Sequence, residues 1–190
     1  RSTIAYVRYL LFKANGDEEK ALKALQSAVE MDKGWASSEI KFMSLYSLSH
    51  HFNSNYQFDG CEKYAKQALA GDTGQKSLDS LAYFQLGLCL YHQNKLREAY
   101  LSFKEAFELN PYHLWAGLYY GEVLYQYDPA QKNKVIEIFD LVVESSEGKI
   151  NELNEVIRFW QAAGDQDMAL YYCDLSQRYG LSMDEMDNCD

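Results

Sequence analysis

Proline is scarce in this sequence, and long apolar runs are absent. Only Pro111 and Pro129 occur among the 190 residues, whereas Ala, Leu, Glu and Lys are frequent. Because proline interrupts helices, this composition favours long helices over a sheet protein with many turns. No run of about 18 apolar residues occurs, so the sequence predicts no membrane-spanning segment.

Closely spaced cysteines and a basic charge balance are also lacking. The four cysteines, Cys61, Cys89, Cys173 and Cys189, lie far apart and form no C-x-x-C motif. This spacing predicts neither a disulfide framework nor a zinc site. We therefore expect reduced cysteines and a cytoplasmic setting. The net charge of −10 argues against nucleic acid, which needs a basic surface. It suits a basic or amphipathic partner, or serves solubility alone.

Motifs of enzymes and metal sites are missing as well. Gly74-Gln75-Lys76-Ser77 is not a phosphate-binding loop, because the lysine does not directly follow the glycine and no strand precedes it. His50 and His51 are adjacent, so on a helix their side chains point about 100° apart and cannot chelate one metal ion together. We therefore predict no enzyme activity, no cofactor and no metal site.

What the sequence does contain is an internal repeat. The clearest unit runs from residue 80 to residue 113, and Pro111 ends it. Small residues in this unit let two helices approach closely, and larger ones fill the space around the contact. The residues concerned are Tyr83, Leu86, Gly87 and Leu90 on the first helix and Ala99, Phe103 and Ala106 on the second. Near the start of the second helices of successive units stand Ala21, Cys61, Ala99, Val135 and Ala169. The turns between the helices of a unit are predicted at Gly16-Asp17 and at Gly164-Asp165.

This unit resembles the tetratricopeptide repeat, whose pattern is W-x-x-L-G-x-x-Y, then A-x-x-x-F, then P. Tyr83 stands for the Trp and Leu90 for the Tyr. The resemblance implies an all-α fold, a right-handed α-solenoid of about five helix-turn-helix units. We predict one domain over 1–181 and an acidic, flexible tail over 182–190. The ten predicted helices are 3–14, 17–31, 35–53, 57–70, 78–92, 96–108, 113–127, 131–145, 150–163 and 166–178.

The resemblance also implies a binding surface, since the first helices of this family line the concave face of the solenoid. Exposed aromatic side chains on such a groove favour binding of a peptide or helix, although the same residues can instead be core or ordinary surface. Family members that bind a terminal carboxylate use Lys and Asn there, and this chain lacks that clamp. The residues predicted to line the groove are Tyr6, Leu10, Met43, Tyr46, His50, Leu81, Phe84, Leu88, Tyr91, Trp115, Leu118, Glu122, Tyr125, Asn154 and Arg158.

These observations predict a non-enzymatic module that binds a protein or peptide partner. Two alternatives remain open. Lys33-Gly34-Trp35 before a long helix resembles the repeats appended to some bacterial or viral glycosyltransferases, which implies an accessory region of a larger enzyme. The chain starts at Arg1, so we expect it to be an excised or processed region. The other alternative is a homo-oligomeric scaffold whose groove holds a terminal helix of a neighbouring copy.

Overall fold

The computed structural model describes residues 1–31, 34–71, 73–147, 149–181 and 189. Within these ranges the chain forms ten α-helices, one 3-10 helix and no β-strand. It is an all-α solenoid of helix-turn-helix pairs, as predicted. The helices are α1 (Ser2–Ala14), α2 (Glu18–Met31), α3 (Ser38–Ser54), α4 (Phe58–Leu69), α5 (Lys76–His92), α6 (Leu96–Leu109), α7 (Leu114–Tyr127), α8 (Lys132–Ser145), α9 (Ile150–Ala162) and α10 (Gln166–Arg178).

All ten predicted helices are confirmed, and their ends differ from the prediction by a few residues. Helix α3 begins later than predicted because the Ser37 hydroxyl accepts a hydrogen bond from the backbone N–H of Ile40, at 3.3 Å, and caps it. Helix α8 follows a 3-10 turn, Pro129–Gln131. The predicted tail over 182–190 lies outside the described residues, apart from Cys189.

By its internal contacts the chain divides into two compact units, Arg1–Ser102 and Phe103–Asp190. The division falls within α6. Each unit is described by itself below, and a single domain over 1–181 stays a prediction.

The turns within four of the described helix pairs share one backbone feature, and the α7–α8 pair has the 3-10 turn instead. Gly16 and Gly164 have φ angles of 76° and 75°, a left-handed conformation that glycine adopts without a Cβ clash. Tyr56 and Asn94 hold the same place in their own pairs, with φ angles of 58° and 59°. The predicted turns at Gly16 and Gly164 are confirmed. Because these residues are equivalent, counting back from each of them aligns the first helices of the repeats.

The core of residues 1–102 includes two clusters, each of which joins a helix pair to the next first helix. Tyr9, Ala21, Leu25 and Leu48 connect α1 and α2 with α3. Phe42, Leu45, Ala68 and Ala82 connect α3 and α4 with α5. The alanines bring the helix backbones close together, and the larger side chains fill the space between them. Each first helix is therefore covered on one side by the pair that precedes it.

Aromatic side chains fill the core of residues 103–181. Phe139 and Trp160 are almost fully buried and pack edge to face, with ring centroids 5.9 Å apart. A Cβ atom at Gly121 would overlap the ring of Phe139, so α7 and α8 approach each other through this glycine. The hydroxyl of Tyr172 donates to the carboxylate of Asp140 at 2.9 Å and ties α10 to α8. Burial, with the nearby Asp140 carboxylate, raises the pKa of Tyr172.

Candidate functional site

Three of the predicted groove residues occupy one repeated position in residues 1–102. Tyr6, Tyr46 and Phe84 lie on α1, α3 and α5, each at the same distance before the turn of its pair. All three side chains are half-buried. Burial raises the pKa of Tyr6 and of Tyr46. The repeat therefore presents an aromatic ring at the same point of each first helix.

Six further groove candidates of residues 1–102 differ in exposure: Leu10 is exposed, Met43 and Leu81 are half-buried, and the other three are described next. His50 and Leu88 share the next repeated position, where His50 is exposed and Leu88 is half-buried. Tyr91 is half-buried near the end of α5. His50 also lines a cavity of about 420 Å³ between α1, α2 and α3, together with Lys13 and Glu18.

In residues 103–181, four of the six predicted groove residues are placed at different depths. Trp115 is 50% exposed, whereas Leu118, one turn further along α7, is 8% exposed and belongs to the core. Tyr125 is half-buried, and its ring packs edge-on against Phe159 at a centroid distance of 5.5 Å. Arg158 is exposed, and its guanidinium donates to the Glu155 carboxylate at 2.8 Å. Of these four residues, Trp115 and Arg158 are the ones with exposed side chains.

A small cavity lies beside Trp115, between α7, α8 and α9. Its volume is about 90 Å³, the space of roughly three water molecules. Leu118, Phe139 and Phe159 give it apolar walls, and Glu122 and Glu155 add carboxylates. The Glu122 carboxylate also accepts a hydrogen bond from the Gln126 amide at 3.1 Å. The arrangement is an apolar recess with acidic groups and an exposed indole.

Glu155 and Phe159 line this cavity, but they are not among the predicted groove residues. They are four residues apart on α9, so they lie on one face of the helix. We had assigned Asn154 and Arg158 to this surface, but Asn154 is buried. The spacing from Glu155 to Phe159 was the available signal, shifted by one residue from the pair that we predicted.

Two further findings concern metal binding and membrane crossing. Among the residues that the structure describes, no group of three or more His, Cys, Asp or Glu side chains is placed to hold a metal ion. None of the described helices combines the length and the apolar character needed to cross a membrane.

The prediction that the cysteines are unpaired is wrong. Cys61 is disulfide-bonded to Cys89, and Cys173 to Cys189, with 5.7 Å between the Cα atoms of each pair. Cys61 and Cys89 are 28 residues apart in sequence, but the packing of α5 on α4 brings them together. Disulfides form in oxidising compartments, so the cysteines no longer support the reduced setting that we expected.

Comparison with known proteins bears out the resemblance seen in the sequence. A family model of the tetratricopeptide repeat matches residues 80–113, the unit that the sequence marked out. No curated protein matches the chain.

Solved structures match over almost the whole chain. MamA is 18% identical, covering 94% of this chain and 91% of its own, with a TM-score of 0.72. YrrB, a TPR protein with an unusual peptide-binding site, is 16% identical over 96% of this chain and 88% of its own, with a TM-score of 0.67. The C-terminal part of a TPR repeat-containing protein from Cytophaga hutchinsonii is 16% identical, covering 100% of this chain and 74% of its own, with a TM-score of 0.68.

These similarities define the class of the fold. Residues 80–113 are a tetratricopeptide repeat, and the chain folds as tetratricopeptide-repeat proteins do. Solenoids of this kind offer extended surfaces along which protein segments bind.

Proposed function

We propose that this chain is a non-catalytic protein-interaction module that binds a segment of a partner protein on its first helices. The observation that carries the proposal is the half-exposed indole of Trp115 above the small recess between α7 and α9. Exposed tryptophans beside apolar recesses are typical anchor points of protein interfaces, because they supply much contact area for little loss of side-chain entropy. Leu118 lines the same recess, Tyr125 packs against Phe159 in its wall, and Arg158 donates to Glu155 beside it.

The size of the recess favours one inserted side chain over a bound small molecule. Sites for drug-sized ligands measure about 300–1,000 Å³. The recess beside Trp115 measures about 90 Å³. A peptide that places a single side chain in it would gain most of its remaining contact from the surrounding helix surface. The structural neighbour YrrB carries a peptide-binding site on the same fold, which agrees with this type of ligand.

The charges around the recess favour a basic or amphipathic partner. Glu122 and Glu155 both line it, and the chain carries a net charge of −10. A lysine or arginine side chain could lay its aliphatic part on the indole of Trp115 and direct its charged end toward these carboxylates. An acidic partner would meet like charges here. We therefore propose that the bound segment carries a basic residue next to apolar ones.

We propose a partner surface of their own for the first helices of residues 1–102. Tyr6, Tyr46 and Phe84 repeat at one position, and Leu88, Tyr91 and His50 lie near them. Because all these side chains are partly or fully exposed, a bound segment could contact them without unfolding the repeats. We propose that they provide contact area for a partner segment within residues 1–102.

Selection of random peptides displayed on phage, with the full chain as the target, tests the proposal. Enriched peptides should combine Lys or Arg with aromatic or aliphatic residues. Trp115→Ala should weaken a selected peptide by about 2 kcal/mol, or roughly thirtyfold in Kd. Tyr112→Ala is the matched control, since Tyr112 is a still more exposed aromatic that does not line the recess.

Stability measurements separate binding from packing. A half-exposed tryptophan at a binding surface should leave the urea midpoint nearly unchanged when it is truncated, whereas a core aromatic costs about 3–5 kcal/mol. Equal peptide binding by Trp115→Ala and by the wild type would contradict the proposed anchor. Loss of stability without loss of binding would assign Trp115 to the core.

A further inference from the structure

Tyr56 stands at the turn between α3 and α4 in a conformation that tyrosine rarely adopts. Its φ angle of 58° is left-handed, at the place where two other helix pairs have Gly16 and Gly164. A side chain here costs stability that glycine would not lose. Burial does not compensate for this cost, because Tyr56 is 82% exposed. Strained backbone that brings no packing in return is typical of binding sites.

A cavity of about 490 Å³ lies beside this turn. The volume falls within the range of about 300–1,000 Å³ that is usual for small-molecule sites. None of the lining residues belongs to the proposed partner surfaces. They are Phe52, Tyr56, Gln57, Phe58, Asp59, Gly60 and Gln93.

Two aromatic rings form adjoining walls of the cavity. The rings of Tyr56 and Phe58 are nearly perpendicular, at 84°, and their centroids are 6.2 Å apart. Phe58 stacks in turn on His92, with a centroid distance of 5.0 Å, and this contact supports its ring. Rings at right angles form a corner in which one ligand group meets both of them.

Phe52 adds a third ring, which packing holds in place. It stacks on Tyr64 with a centroid distance of 5.3 Å. A Cβ atom at Gly60 would overlap the Phe52 ring, so this glycine lets the ring lie against the backbone of α4. The Gln93 amide donates to the carbonyl oxygen of Phe58 at 3.3 Å and ties the end of α5 to the start of α4. The walls are therefore formed before any ligand binds.

The charged group that lines this cavity is acidic. Asp59 is exposed and forms no ion pair with any residue that the structure describes. Lys95 lies within electrostatic reach of Asp59, but Glu62 binds its ammonium group at 2.9 Å. Aromatic ring faces and a carboxylate both attract cations. The cavity therefore suits a positively charged ligand.

The aromatic walls also distinguish between kinds of cation. A lysine ammonium group is compact and strongly hydrated, and ring faces replace its water poorly. A quaternary ammonium group has no N–H donors to satisfy, and its methyl groups contact aromatic rings well.

We propose that the cavity between Phe52, Tyr56, Phe58 and Asp59 binds a quaternary ammonium group, such as choline and trimethyllysine carry. The three rings surround the methyl groups, and the Asp59 carboxylate faces the positive charge. The strained turn at Tyr56 then has a function, because it places one wall of the site.

Titration of the full chain with choline, followed by two-dimensional NMR spectra, tests the proposal. The backbone amide signals of residues 52–60 should shift as choline is added. The matched ligand control is the neutral analogue in which a tert-butyl group replaces the trimethylammonium group. Because it has the same shape without the charge, it should bind roughly tenfold more weakly.

Tyr56→Gly separates binding from stability. It should raise the Kd of choline roughly tenfold while the melting temperature rises, so unfolding cannot explain the loss. Asn94→Gly is the matched control, since Asn94 holds the same place in the next pair, with a φ angle of 59°, and does not line the cavity. It should leave the Kd unchanged. Asp59→Asn should raise the Kd roughly threefold by removing the carboxylate charge.

A peptide that carries trimethyllysine, and the same peptide with unmodified lysine, identify the source of the cation. Tighter binding of the methylated peptide than of choline would assign the site to a modified partner protein, and the reverse order would assign it to a small molecule. Either result supports the proposal. Equal binding of choline and its neutral analogue, equal binding of the two peptides, an unchanged Kd in Tyr56→Gly, or amide signals of residues 52–60 that do not shift would each overturn it.

Discussion

The bridge between Cys61 and Cys89 ties α4 to α5 and gives a quantitative prediction for stability. It closes a loop of 28 residues. A cross-link of this length lowers the entropy of the unfolded chain, which corresponds to about 3.5 kcal/mol of stability at 25 °C. We therefore expect that replacing both cysteines with alanine lowers the free energy of unfolding by about this amount, plus a smaller packing cost.

Measurement in a reducing buffer isolates the packing cost. Alanine stands at the position of Cys61 in three other repeats, as Ala21, Ala99 and Ala169, and all three are buried. The exchange at position 61 should therefore leave little empty space. Under reducing conditions the wild type has lost its bridges, so the remaining difference between wild type and variant reports the loss of two buried sulfur atoms. The difference between the oxidising and the reducing experiment is the contribution of the cross-link.

Urea titration followed by far-UV circular dichroism is a suitable assay. With a urea dependence of about 2 kcal/mol per molar, the cross-link should shift the midpoint by nearly 2 M. Alkylation of the unfolded protein before reduction, read by mass spectrometry, should leave Cys61 and Cys89 unmodified. If both cysteines are alkylated, or if the wild type and the variant differ equally in both buffers, the reasoning is refuted.

Three further predictions concern packing, backbone and charge. Gly121→Ala should lower stability by about 1–3 kcal/mol in a denaturant titration, because its Cβ would overlap Phe139, whereas Gly71→Ala, which meets only ordinary contacts, should be near neutral. Tyr56→Gly should raise the melting temperature, with a gain of up to about 1 kcal/mol, since a left-handed conformation costs an L-residue more than glycine loses in entropy; a lower melting temperature would contradict this. Hydrogen bonds from Lys66, and then from Lys95 and Gln93, hold the pKa of Glu62 at about 2, below the usual 4.5. The stability that this carboxylate provides is present above pH 4.5 and is lost as the pH falls toward 2, so Glu62→Gln should flatten the acid limb of the stability profile by about 1 kcal/mol or less.

The helices and their order could be predicted from the sequence because local signals define them. Gly16 and Gly164 mark turns that need a left-handed residue, and Ala21 and Ala169 mark close helix contacts. The turn at Tyr56 carries no such signal, since a tyrosine at positive φ contradicts local preference and is held there by the repeat. The sequence therefore specifies the repeat as a whole better than it specifies each of its turns.

The candidate site was predicted less completely, because exposure depends on neighbouring helices. Trp115 and Leu118 are both apolar and lie one turn apart on α7, yet one is half-exposed and the other is in the core. Their exposure depends on how the neighbouring helices pack around α7. The same holds for Cys61 and Cys89, whose distance in sequence conceals a direct contact between adjacent repeats.

The Cys61–Cys89 bridge also changes how the chain would respond to tension along its length. A solenoid stretched from its ends can release its repeats one after another, since each repeat contacts only its neighbours. The Cα atoms of Cys61 and Cys89 are 5.7 Å apart, although a chain with their sequence separation of 28 could extend to about 95 Å. The residues between Cys61 and Cys89 therefore cannot extend while the bridge is intact. Under tension, residues 61–89 would stay folded together while the repeats on either side could still unfold.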